Sequence, residues 1–179
     1  MKNRQLIEAK AEDLLQELGM TTTPVPVELV AQHLGARVHY QPFDSSDVSG
    51  MLFREEGKPP IVGVNASNHP LRQRFTIAHE VAHLVLHPGK PLILDRQVRV
   101  NFRDATSSTA TDEQEIQANA FAAALLMPKF LVLDLLHHHL ERDAQVSDVG
   151  IVERLAGDFQ VSKQAMEYRL ANLGLLTPA

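Results

Sequence analysis

The apolar positions of the chain recur first at the spacing of helices and then at the spacing of strands. An apolar stripe over residues 2–19 predicts a first helix that ends at Gly19. The stretch TTTPVPVELVAQHLGA predicts a short second helix that ends at Gly35. Three extended segments follow, with the sequences RVHYQPF, GMLFR and PIVGVN. Because the strands cluster instead of alternating with helices, this order predicts an α+β fold.

Helical spacing returns in the second half of the chain. One long helix is predicted over residues 71–87 and another over 111–127, where Thr111 and Gln114 form a capping box. The polar segment between these two helices is predicted to hold one short strand at residues 98–102. Three further helices are predicted near residues 129–140, 145–158 and 162–173.

These elements predict how the chain is organised. We expect a core of residues 1–128, in which a small, mostly antiparallel sheet packs on the two long helices. Residues 129–179 are predicted to form a helical C-terminal lobe, packed on that core and similar in pattern to a helix-turn-helix.

Composition narrows the possible chemistry. The 179-residue chain contains no cysteine, which excludes disulfides and thiolate metal sites and leaves histidine and carboxylate as strong ligands. Its formal net charge of −5 argues against a general affinity for nucleic acid. No apolar run approaches the roughly 18 residues of a membrane span, and the first residues lack the apolar core of a signal peptide. We therefore expect a cytoplasmic protein with no membrane partner.

The stretch RFTIAHEVAHLVLH carries the clearest chemical signal. His79 and His83 are four residues apart on a helix, so both imidazoles lie on one face and can chelate one ion. Glu80 is rotated by about 100° from His79, so it can lie beside a zinc ion as a general base without binding it. The alternative is a buried helix that is rich in histidine, since this short pattern also arises by chance.

Such a zinc site needs a third protein ligand. His87 lies about 12 Å along the helix from His79, too far to share an ion with bonds of about 2 Å. The predicted helix over residues 111–127 offers the carboxylates of Asp112, Glu113 and Glu115. Glu115 is favoured because alanines share its face and allow a close approach, and Asn119 could orient a ligating imidazole. The alternative for Glu115 is a solvated carboxylate in the first helical turn.

A peptidase would also need a donor for the oxyanion and a strand that pairs with its substrate. His69, Tyr40 and Arg74 are candidates for the donor, and Arg74 could instead be a structural anchor. Residues 63–67, which include Asn65, are predicted to form an edge strand that contacts the substrate.

The C-terminal lobe is a weak candidate for DNA binding. A DNA-reading second helix should carry several basic or amide groups on its exposed side. Lys163 and Arg169 are accompanied here by Glu153, Asp158 and Glu167, so the charge is nearly balanced. Direct nucleic-acid binding is therefore disfavoured, and a packing or docking role is expected.

Two motifs together resemble the ImmA/IrrE family of metallopeptidases. The stretch RFTIAHEVAHLVLH resembles the first motif of that family, and EIQANAFAAALLMP resembles the second. The sequences before the first motif and at the end of the chain are also similar, so the resemblance covers nearly the whole chain. It implies a zincin-like core with one Zn²⁺ bound by His79, His83 and Glu115, and with Glu80 as the general base.

The resemblance also implies a substrate class. Members of the family cut, or promote the cutting of, a helix-turn-helix repressor, which switches on stress-response or mobile-element genes. The alternative is an anti-repressor that binds its partner and retains the zinc site without cleaving.

Overall fold

A computed structural model describes residues 2–44, 47–89, 91–96 and 110–176. Within these residues the chain forms helices at both ends and strands between them, and the α+β prediction is confirmed. The elements are α1 (Lys2–Glu17), α2 (Val27–His33), β1 (Arg37–Gln41), β2 (Val48–Phe53), β3 (Ile61–Asn65), α3 (Pro70–Leu86), β4 (Leu92–Arg96), α4 (Ala110–Leu126), α5 (Lys129–Arg142), α6 (Asp148–Phe159) and α7 (Lys163–Asn172).

The four strands form one sheet in the order β1-β3-β2-β4. β1 pairs with β3 in parallel, whereas β2 pairs antiparallel with both β3 and β4, so the sheet is mostly antiparallel as predicted. The prediction that residues 63–67 form an edge strand is wrong, because Gly63 lies between His39 of β1 and Met51 of β2. Among the described residues, β1 and β4 are the edge strands of this sheet.

β4 was not predicted from the sequence. It begins at Leu92, opposite Phe53 of β2, and ends in residues that the sequence analysis included in the polar segment between the two long helices. The strand predicted at residues 98–102 lies outside the described residues.

β2 lies directly over α3. A Cβ atom on Gly50 would lie 2.2 Å from Cγ2 of Thr76, so only glycine fits between the strand and the helix. Val62 and Val64 of β3 are fully buried in the same core as Ile77 and Val81 of α3. The sheet therefore holds α3 along one side.

The other long helix, α4, also packs against α3. Ala78 and Ala82 on α3 and Ala118 and Ala122 on α4 are all fully buried. Small side chains let two helix backbones approach closely, so groups on both helices can reach a common point.

α7 is fastened to α1 and to the end of α4. Arg169 is 1% exposed; its Nη1 donates to Oε2 of Glu8 at 2.8 Å, and its Nε donates to the carbonyl oxygen of Met127 at 2.9 Å. The division of the chain into domains at residue 128 stays a prediction.

Among the described residues, no single helix has both the length and the apolar composition to cross a membrane. Residues 113–126 of α4 and the whole of α5 pass that test only as a pair, and a bend of 46° separates them. Phe121 and Leu125 of α4 are fully buried in the core.

Candidate metal centre

Three side chains from α3 and α4 converge on one point. Nε2 of His79 lies 3.1 Å from Nε2 of His83 and 3.1 Å from Oε2 of Glu115. The third pair, Nε2 of His83 and Oε1 of Glu115, is 3.4 Å apart. Their possible ligand atoms all lie within 4.8 Å of one another, so this group could hold a metal ion.

The spacing of these donors fits an ion of the size of zinc. Tetrahedral zinc with bonds of about 2.0–2.1 Å places neighbouring ligand atoms about 3.3 Å apart. The separation of the two imidazole nitrogens is 3.1 Å, and each of these nitrogens lies 3.1–3.4 Å from one or the other oxygen of Glu115. Two imidazole nitrogens and a carboxylate also form a donor set that zinc accepts, with one tetrahedral position left over.

Burial and charge favour the protonation states that a metal ligand needs. Burial lowers the pKa of His83, which favours the neutral imidazole. Burial alone would raise the pKa of Glu115, but the hydrogen bonds from His79 and His83 lower it far below its usual range. Both shifts therefore favour a neutral His83 beside an ionised Glu115.

The other ring nitrogen of each histidine contacts a different residue. Nδ1 of His79 lies 3.1 Å from Oδ1 of Asn119, which is the position that the sequence analysis assigned to Asn119. Nδ1 of His83 lies 3.1 Å from Nδ1 of His87, and Nε2 of His87 lies 3.0 Å from Oε1 of Gln117. The sequence analysis rejected His87 as a ligand and missed this contact, although the i, i+4 spacing of the two histidines could have indicated it.

Glu80 lies next to this group and is not one of its converging donors. It is fully buried, and its Oε1 lies 3.4 Å from the position that a Cβ on Gly50 would take. The missing side chain at Gly50 therefore leaves room beside the Glu80 carboxylate, between β2 and α3.

Arg54 is a neighbour of the site that the sequence analysis missed. Its Nη2 donates to the carbonyl oxygen of His83 at 2.7 Å. Burial lowers the pKa of Arg54, while the negative charge of Glu80 raises it. The guanidinium therefore interacts electrostatically with that carboxylate. Only the fold could reveal this contact, since 29 residues separate the two bonded groups.

Two of the predicted oxyanion donors bind groups near α2. The hydroxyl of Tyr40 donates to Glu28 at 2.7 Å, and burial together with this hydrogen bond raises the pKa of Tyr40 above its usual range. Nη2 of Arg74 donates to the carbonyl oxygen of Val25 at 3.0 Å. Arg74 therefore has the contacts of a structural anchor, as the sequence alternative proposed.

The remaining two predicted contacts lie at chain turns. His69 caps α3, where its Nδ1 accepts a hydrogen bond from the backbone of Leu71. Along the helix, His69 precedes His79 by about 15 Å. Asn65 donates to the carbonyl oxygen of Val48 and accepts from the backbone of Ser67. In the described structure, both side chains form hydrogen bonds with nearby backbone groups.

Comparison with known proteins places these residues in a broader context. The peptidase family described as the IrrE N-terminal-like domain (Peptidase_M78) matches residues 31–171. The radiation response metalloprotease IrrE of Deinococcus radiodurans is 32% identical over 77 residues, which are 42% of this chain and 22% of that protein. The protein of the same name from Deinococcus deserti is 36% identical over 77 residues, 42% of this chain and 25% of that protein. The aligned region thus spans about a quarter of each relative.

A solved structure shares the fold. The Mycobacterium tuberculosis transcriptional regulator matches with a TM-score of 0.59 and 19% sequence identity, over 93% of this chain and 46% of that one. At this identity, the likeness concerns the fold alone.

Proposed function

Because the chain belongs to the peptidase family described as IrrE N-terminal-like, we propose that it is a zinc-dependent endopeptidase that cleaves a helix-turn-helix transcriptional repressor. Cleavage in the cytoplasm would relieve repression of stress-response or mobile-element genes. The observation that carries the proposal is the convergence of His79, His83 and Glu115, with ligand atoms within 4.8 Å of one another, inside the family's domain.

The proposed metal is one zinc ion per chain, held by His79, His83 and Glu115. Asn119 would orient the imidazole of His79 by accepting a hydrogen bond from its Nδ1. A bound zinc ion would supply Lewis acidity, which activates water and polarises a peptide carbonyl at neutral pH.

Glu80 is the proposed general base. Its carboxylate takes a proton from the attacking water as the oxygen bonds to the peptide carbon, and it then gives that proton to the leaving amine nitrogen. Its burial beside Gly50 supports this role, because a carboxylate held in one place needs little rearrangement before the transfer.

The proposed substrate strand lies along β4. β2 touches α3 beside Glu80. In the part of the chain that the structure describes, β4 is the edge strand next to β2, whereas β1 lies beyond β3. An extended peptide can add to an edge strand through main-chain hydrogen bonds. β4 therefore replaces residues 63–67 as the proposed pairing strand.

The contacts of the C-terminal helices support a protein partner over DNA. Arg169 is buried against Glu8, and Lys163 forms an ion pair with Glu153. Each cation already has a carboxylate partner, which disfavours binding to a DNA phosphate. The nearly balanced charge of α6 and α7 together agrees with docking to protein.

The proposal is tested by expressing the chain together with the helix-turn-helix repressor that is encoded nearest to it. We expect the repressor to be shortened by the wild-type protein and to stay intact with the Glu80→Gln variant, which keeps all three proposed ligands. A repressor that stays intact with both proteins, yet co-purifies with both, would instead identify a non-cleaving anti-repressor.

A further inference from the structure

We propose that His87 is a positioning residue of the metal centre, which accepts the Nδ1 proton of His83 and connects that ligand through Gln117 to the surface carboxylate of Glu113. This inference rests on the proposed metal site, but not on peptide cleavage.

Three consecutive contacts form the connection. Nδ1 of His83 lies 3.1 Å from Nδ1 of His87, and Nε2 of His87 lies 3.0 Å from Oε1 of Gln117. Nε2 of Gln117 donates to Oε1 of Glu113 at 3.2 Å. Both histidines are buried, whereas Glu113 is exposed, so the connection runs from the core to the surface of α4.

Metal binding would fix the direction of every hydrogen bond in this connection. Nε2 of His83 points at the converging donors, so metal binding there leaves the ring proton on Nδ1. That proton is donated to Nδ1 of His87, whose own proton must then lie on Nε2 and be donated to Gln117. The Gln117 amide donates onward to Glu113, so the connection ends on an acceptor-only group.

Such a connection would hold the ligand in one orientation. A hydrogen bond to the far nitrogen of a ligating histidine fixes its tautomer and ring plane and raises its basicity. His79 receives this support directly from Asn119 on α4. His83 receives it through His87, the residue that follows α3, and only then from Gln117 on α4, so the two ligands are supported by different routes.

The side chain of His87 can be changed without removing the helix cap. His87 follows the last residue of α3, and its backbone N–H bonds to the carbonyl oxygen of His83. This backbone contact does not depend on the imidazole. Side-chain variants therefore separate positioning of His83 from termination of the helix.

The experiment compares zinc affinity in the wild type, His87→Phe and His87→Asn, by competition with a chromophoric chelator. Phenylalanine keeps a ring but offers no acceptor to His83, so we expect zinc affinity to fall by about 10–100-fold. Asparagine offers an amide oxygen near the place of Nδ1 and should restore most of the loss. The melting temperature of each metal-free protein reports whether the fold itself is disturbed.

Two variants of α4 extend the test along the connection. Gln117→Leu removes the acceptor for His87 and should weaken zinc binding less than His87→Phe does. Glu113→Gln keeps an oxygen that can accept from Gln117 at the outer end of the connection, and it should weaken zinc binding least of the three variants. The loss of zinc affinity should therefore decline with distance from His83 along the connection. A purely structural role of His87 would not produce this order.

A folded His87→Phe protein with wild-type zinc affinity overturns the inference. An equal loss in His87→Phe and His87→Asn, with a lower metal-free melting temperature in both, overturns it as well. If His87→Phe does not fold, wild-type affinity in Gln117→Leu decides against it. Absence of zinc binding by the wild type overturns the metal site and this inference together. The graded loss without any repressor cleavage supports the inference while contradicting the peptidase proposal.

Discussion

At Gly50, the absence of a side chain decides how closely β2 can lie on α3. An added Cβ would meet Cγ2 of Thr76 at 2.2 Å, a contact that forces the strand or the helix to move. The Glu80 carboxylate lies against the same position, so movement there would also disturb the proposed base.

We expect Gly50→Ala to lower the free energy of unfolding by about 1–3 kcal/mol, the range for overpacking a core. Thr76→Ser removes the clashing methyl group, so the double variant Gly50→Ala/Thr76→Ser should recover part of the loss. Denaturant unfolding of the single and double variants measures this coupling. Additive effects of the two substitutions would show that the clash is not the cause.

Substitution of Gly157 by alanine should have the opposite effect on the free energy of unfolding. Gly157 lies within α6, and an added Cβ would meet nothing within 4 Å. Because alanine favours helix over glycine, Gly157→Ala should raise the free energy of unfolding by about 0.5–1 kcal/mol. The same unfolding measurement checks it, and a decrease would contradict the expectation.

Glu115 and Glu113 are neighbouring carboxylates that should differ sharply in metal binding. Oε2 of Glu115 lies 3.1 Å from Nε2 of His79, whereas Glu113 is exposed and accepts from Gln117. We expect Glu115→Gln to weaken zinc binding by more than about 100-fold, beyond the usual effect of losing an outer partner. Zinc titration of both variants tests this, and a loss confined to Glu113→Gln would exclude Glu115 as the ligand.

At the scale of elements, the attachment of α7 depends on a buried charge. Arg169 bridges Glu8 of α1 and the carbonyl oxygen of Met127 at the end of α4. Loss of its carboxylate partner would leave a buried guanidinium without a counter-charge.

We expect Glu8→Gln to lower the free energy of unfolding by about 1.5–3 kcal/mol at neutral pH, the range for a hydrogen bond to a charged group. Glu153→Gln is the matched control: it removes the exposed ion pair with Lys163 and should cost much less. Similar losses in both variants, measured by denaturant unfolding, would contradict the role assigned to the buried pair.

The effect of Glu8 should also depend on pH. Burial would raise its pKa, but the hydrogen bonds from Arg4 and Arg169 lower it below the ordinary value of 4.5. A carboxylate with a lowered folded-state pKa stabilises the protein above its unfolded pKa and loses that effect as pH falls through the folded pKa. The difference between wild type and Glu8→Gln should therefore shrink below pH 4.5.

Local elements were far easier to predict from the sequence than their arrangement. The seven helices of the described ranges follow apolar spacing, caps and prolines, which are properties of neighbouring residues. The position of β3 between β1 and β2 depends on a parallel pairing, which no local pattern encodes. β4 was missed because its Asp95 and Arg96 resemble a loop, and a short edge strand needs few apolar residues.

Some residues of the candidate site could likewise be predicted from the sequence, whereas others could be found only from the fold. The pair His79 and His83 follows from helical spacing alone, and Glu115 was favoured by the alanines on its face. The contacts of Arg54 with the His83 carbonyl and of His87 with Gln117 require α3 to be packed against the sheet and α4.

For the whole molecule, a bound metal would act as a bridge between α3 and α4. An ion that binds only the folded chain stabilises it by about 2.7 kcal/mol when free metal is one hundred times its dissociation constant. We expect zinc to raise the melting temperature of the metal-free protein and a chelator to reverse the effect. The Glu115→Gln variant should show little of this shift, and an equal shift in both proteins would place the bound metal elsewhere.

The distribution of the ligands over two helices also has a consequence in time. During synthesis, His83 is made 32 residues before Glu115 (115 − 83 = 32). At 5–20 residues per second, this interval lasts about 2–6 s, in which only two of the three donors exist. Tight metal capture must then wait until α4 has been made and has docked on α3. In a refolding experiment, zinc capture should accordingly follow that docking step and not the formation of α3, so each newly made chain would pass through an interval without tightly bound metal.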